Sequence, residues 1–185
     1  MPRSALVLLP LLLCGCGPVE PAPDATPGDA EAQRTRVATS PESASYRIDG
    51  RVVALRDGKH DELAAPASAS HRTTEIWGAP VAADLDGDGD QDAIVIIATE
   101  QGGSGTFYFV AVAELDGDAY TGSAGVLLGD RIATQRVTFA DGVVTVDYAE
   151  RRPGEPMSTP PSVTASKRFV YRNGVLQPLE AGQRF

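Results

Sequence analysis

The sequence predicts an all-β domain: an antiparallel meander that closes as a sandwich or a barrel, with α+β as the alternative. Three observations predict it. Asp57-Gly58, Asp141-Gly142 and Asn173-Gly174 are each flanked by strand-like runs, as type I′ hairpin turns require. Apolar and polar residues alternate over residues 143–148 and 163–171. No segment holds a helical period over three turns; only residues 61–65, before Pro66, suggest a short helix.

The chain has 185 residues, enough for one domain with appendages, and 42% are hydrophobic, enough for a core. There are 25 Asp and Glu against 16 Lys and Arg. That balance argues against nucleic acid as a partner, because phosphate binding needs a basic surface. Both cysteines, Cys14 and Cys16, lie near the start, so the later domain folds without disulfides or thiolate metal sites.

The first element is "MPRSALVLLPLLLCGCG". Arg3 forms a positive n-region and residues 5–13 an apolar stretch too short for a permanent span. Residues 1–15 therefore read as a signal peptide. Leu13, Gly15 and Cys16 resemble the lipobox of bacterial lipoproteins. The resemblance implies cleavage after Gly15, a diacylglyceryl thioether on Cys16 and acylation of the new terminus. Two or more acyl chains, at about 0.8 kcal/mol per buried CH₂, make a stable membrane anchor. Gly17 follows in place of the Asp that retains many such proteins at the inner membrane, which favours the outer membrane.

The second element, residues 16–44, is the lipidated Cys and a tether. Residues 17–44 hold five prolines and many small residues without hydrophobic periodicity. A flexible chain of this length spans roughly 30 Å. The β-rich domain then covers residues 45–185. Its expected strands are residues 46–55, 93–99, 107–113, 131–139, 143–148, 163–171 and 175–179, with a glycine-rich hairpin loop at 100–105.

The strongest signal is "VAADLDGDGDQDAIVII", residues 81–97. Unit charges about 4 Å apart repel by about 1 kcal/mol per pair in water and several times more near protein. Converging carboxylates therefore call for a cation. Asp84, Asp86 and Asp88 fill loop positions 1, 3 and 5, and Gly89 fills position 6, where a sharp turn is needed. Asp90 at position 7 would offer its carbonyl, and Asp92 at position 9 a further carboxylate. All-oxygen donors in a flexible loop suit Ca²⁺ over Mg²⁺, in a structural role. An EF-hand is excluded, since Val95 stands where its bidentate Glu belongs and a strand follows.

The segment resembles the calcium loop of integrin-type FG-GAP repeats, Asp-x-Asp-x-Asp-Gly-x-x-Asp before a hydrophobic strand. That form occurs here in one copy. Together with "GGSGTFYFVAVAEL" and "LLGDR", the region also resembles an extracytoplasmic domain of bacterial lipoproteins. The likeness implies a related fold and no activity.

Other features carry less. Asp116-Gly117-Asp118 reads as a solvated turn. Residues 102–106 lack the Gly-Lys-Ser/Thr ending of a phosphate loop. His60 and His71, the only histidines, read as surface residues without a nucleophile beside them. Trp77 reads as core, and Asp130 with Arg131 as an ion pair at a turn. No nucleophile, base and orienting group assemble, so no catalytic residue is assigned. The expectation is a lipid-anchored cell-envelope lipoprotein whose domain is a binding or scaffold module for a protein or glycan ligand. The alternative is an envelope hydrolase using the metal or the histidines.

Overall fold

The computed structural model of the chain describes residues 38–180, except Ser104, within one compact unit, Val37–Phe185. The predicted signal peptide, Cys16 and the tether up to residue 37 lie outside the described residues. A short 3₁₀ turn, Pro41–Ser43, precedes the first strand. The strands are β1 (Ser45–Ile48), β2 (Arg51–Ala54), β3 (Lys59–Leu63), β4 (His71–Ile76), β5 (Val81–Ala83), β6 (Asp92–Glu100) and β7 (Thr106–Asp116). They continue as β8 (Ala119–Gly122), β9 (Val126–Asp130), β10 (Ala133–Ala140), β11 (Val143–Glu150), β12 (Val163–Arg172) and β13 (Val175–Pro178). The fold is all-β, as predicted, and every pairing between these strands is antiparallel.

Three sheets form. The largest runs β3-β4-β6-β7-β8, with β5 on β6 and β9 on β7. A second sheet runs β10-β11-β12-β13, and β1 with β2 makes a two-stranded third. The arrangement is a sandwich with a central sheet covered on both faces. On one face Ile94, Ile96, Val110 and Val112 pack with Val144, Val146, Tyr148 and Phe169 of the four-stranded sheet. On the other, Val95, Ile97, Phe109 and Ala111 pack with Tyr46, Ile48, Val53 and Leu55 of the β1–β2 layer. This double burial explains why β6 and β7 are near-continuous apolar runs, while β12, covered on one face, alternates. Each large apolar side chain fully buried here contributes about 1.5–3 kcal/mol.

The three predicted dipeptide turns form with both residues left-handed, for example Asp141 at φ 50° and Gly142 at φ 72°. A fourth, Asp49-Gly50, splits predicted strand 46–55 into β1 and β2. Residues 61–65 are not a helix. Asp61 to Leu63 complete β3, which pairs with β4 across alternating polar side chains. The fold also begins before Ser45. Ala44 is fully buried, the Tyr46 hydroxyl donates to the Pro41 carbonyl, and the Tyr120 N–H donates to the Ala38 carbonyl. Residues 38–44, read in the sequence as tether, thus belong to the domain. At Gly122 the chains approach so closely that a Cβ would lie 2.4 Å from the Ser45 carbonyl oxygen.

Candidate metal centre

Residues 84–91 link β5 to β6, and these two strands pair directly, Ala83 opposite Asp92. The Asp-rich segment is therefore the closed loop of a hairpin. Its side chains divide by position. Leu85 points inward and joins the sandwich core, while Asp84, Asp86, Asp88 and Asp90 are exposed. Gly87 and Gly89 take φ of 86° and 95°, which a side chain would resist.

The chain folds back on its own carboxylates. Asp84 Oδ1 accepts the Gly87 N–H at 2.7 Å, Asp86 Oδ1 the Asp88 N–H at 3.1 Å, and Asp88 Oδ1 the Asp90 N–H at 2.8 Å. These turns bring one carboxylate oxygen from each of Asp84, Asp86 and Asp88 within 4.8 Å of one another. No ion pair among the described residues neutralises the three. Three hard oxygen donors with glycine flexibility between them could hold a metal ion.

The two remaining predicted ligands stand apart from this group. Asp90 is exposed and enters the loop bonding through its N–H. Asp92 is 1% exposed. Its Oδ2 accepts the Leu85 N–H at 3.0 Å and its Oδ1 accepts the Leu115 N–H at 2.9 Å. Burial raises its pKa, and the two N–H bonds pull in the opposite direction. In this structure Asp92 braces the loop to β7, and it is not one of the three converging carboxylates. Spacing alone could not show this, because a side chain at the first strand position is turned inward by the pleat.

Two neighbours carried no sequence signal. Tyr171 on β12 donates its hydroxyl to Glu114 Oε2 on β7 at 2.6 Å. Burial, then that bond, raises the Tyr171 pKa, so the hydroxyl stays protonated. Tyr120 reaches the other side of the loop and donates to the Gln91 carbonyl at 3.3 Å.

The remaining predicted features fall elsewhere. Asp130 and Arg131 form the expected ion pair at 2.9 Å. Asp116-Gly117-Asp118 is an exposed turn between β7 and β8. Trp77 is corrected from core to surface: it is 47% exposed and meets Tyr108 edge-on, with ring centres 5.7 Å apart. His71 Nδ1 lies 2.5 Å from Asp61, and His60 Nε2 lies 3.7 Å from Glu62, both on the β3–β4 hairpin. Set against protein-family models, curated proteins and solved structures, the chain matches none.

Proposed function

We propose that the chain is a lipid-anchored lipoprotein of the cell envelope, held through Cys16 in the outer membrane, whose β domain closes one loop on Ca²⁺ and serves as a binding or scaffold module. The observation that carries the metal part is the convergence of the Asp84, Asp86 and Asp88 carboxylates in a loop pinned at both ends. Oxygen-only donors and a glycine-rich backbone favour Ca²⁺, which takes six to eight oxygens in adaptable geometry. The ion replaces repulsion with attraction and fixes the loop before β6. The lipobox-like Leu13-Cys14-Gly15-Cys16 supports the anchor.

Melting tests the loop. Extracellular calcium modules bind with Kd of about 10⁻⁴ to 10⁻³ M. At ten times Kd the gain is about 1.4 kcal/mol, or roughly 3–6 °C for a domain of this size. Ca²⁺ should restore a chelator-lowered midpoint better than Mg²⁺. Asp88→Ala should remove most of that response and Asp118→Ala none of it. Equal midpoints in chelator and in millimolar Ca²⁺ would refute the metal. The anchor is tested by fatty-acid labelling in cells, which Cys16→Ser should abolish; labelling lost in Cys14→Ser instead would move it to Cys14.

A further inference from the structure

Beside the acidic loop the two large sheets part around a cleft of about 660 Å³, within the usual range of small-molecule sites, about 300–1,000 Å³. Leu85 and Asp86 of the loop, Glu114 of β7, and Tyr171, Arg172 and Asn173 of the β12–β13 hairpin line it. We infer that this cleft binds a neutral saccharide, with Glu114, Arg172 and Asn173 as its polar contacts.

The inference starts from the mixture of groups. Glu114 spends one oxygen on Tyr171 and keeps Oε1 without a hydrogen-bond partner among the described residues. Arg172 and Asn173 likewise have no side-chain partner among the described residues. Acceptors from β7 and the loop therefore face the same space as donors from the hairpin. A ligand of one net charge is welcomed by one set and opposed by the other. Vicinal hydroxyls donate and accept at once, so they match both sets without a charge to bury. Leu85 and Tyr171, both buried, form the apolar floor of the cleft, and the polar groups stand at its rim. The hairpin itself is held by its left-handed Asn173-Gly174 pair, so the two polar groups are presented on a stiff turn.

The inference rests on the binding-module reading but not on calcium. The probes are maltotetraose, cellotetraose and N-acetylchitotetraose, each titrated into ¹⁵N-labelled protein with Ca²⁺ and again with chelator. A glucosamine tetramer and a galacturonate tetramer serve as cationic and anionic controls. The expected result is shifts at residues 85–86, 114 and 171–174 with at least one neutral probe, at concentrations up to about 10 mM. Arg172→Ala and Glu114→Gln should each weaken that binding about tenfold, the loss of one charge-assisted hydrogen bond. Arg172 is exposed and unpaired among the described residues, so its variant should melt like the parent. No shift with any neutral probe, tighter binding of a charged tetramer, or unchanged affinity in Arg172→Ala would overturn the inference. Saccharide binding with no melting response to Ca²⁺ would sink the metal reading and leave the cleft standing.

Discussion

Replacing Asp92 by Ala strands two backbone donors at once. The Leu85 N–H is buried, and the Leu115 N–H is partly so. A buried donor left unsatisfied costs about 1–3 kcal/mol, and bonds to a charged acceptor lie at the upper end of that scale. The two together come to about 3–5 kcal/mol. Removing the carboxylate also removes its own desolvation, which burial makes unfavourable and which its raised pKa records. That offsets part of the loss. The net loss is therefore about 2–4 kcal/mol, or roughly 5–15 °C for a domain of this length. Asp92→Asn keeps one carbonyl acceptor in the same shape and should fall between parent and Ala. The assay is urea unfolding at constant m, run in chelator so that no ion enters the comparison. Amide exchange at Leu115 should accelerate in the same variant. A loss below about 0.5 kcal/mol, the ordinary range for surface substitutions, would refute the brace.

Other outcomes follow from the same bonding. A chain beginning at Ser45 loses the Ala38, Pro41, Glu42 and Ala44 carbonyls that accept from Tyr120, Tyr46, Gly58 and Leu55. At about 1 kcal/mol per bond it should melt roughly 10 °C below a chain beginning at Ala38, whereas one beginning at Gly17 should match the latter; equal midpoints for all three would show that residues 38–44 contribute nothing. The β3–β4 hairpin should open in acid. The His71 hydrogen bond lowers the Asp61 pKa and the Arg72 hydrogen bond lowers that of Glu62, so both groups stabilise the fold above the ordinary carboxylate range. That contribution is lost as pH falls through the lowered values. Amide exchange in β3, corrected for its intrinsic pH dependence, should show protection disappearing there; protection that survives full protonation would refute the pairing.

How far the sequence was legible depends on burial. Residues 93–99 and 107–113 are readable because both faces of β6 and β7 are covered, leaving no polar interruption. The dipeptide turns are readable because a left-handed pair restricts the residue types almost by itself. β3 is opaque for the opposite reason. It lies at a sheet edge with no buried residue, so Lys59, His60, Asp61 and Glu62 display no apolar period and even suggest a helix. Asp49-Gly50 is the same kind of signal as the turns that were found, but the apolar run on either side concealed it. Within the loop, Asp84, Asp86 and Asp88 converge as their spacing requires. Asp92 differs because its environment comes from β7, more than twenty residues away. Trp77 misleads because size alone suggests burial, while its place just past the end of β4 leaves one side of the ring uncovered.

The position of residues 38–44 has a mechanical consequence. A load applied at Ala38 meets the Ala38 carbonyl on Tyr120 first, then Pro41, Glu42 and Ala44 in turn. These bonds are met one after another, so a pull opens them like a zip and not in parallel shear. Next in line is β1, joined to residues 123–125 by only two backbone bonds through Arg47 and to β2 by a four-residue ladder. The thin layer over one face of the central sheet would thus peel first and uncover Val95, Ile97 and Phe109. The sandwich of β6, β7, β11 and β12 would still be intact at that point. Drawn from Ala38, the domain should therefore yield in two stages, the β1–β2 layer before the sandwich.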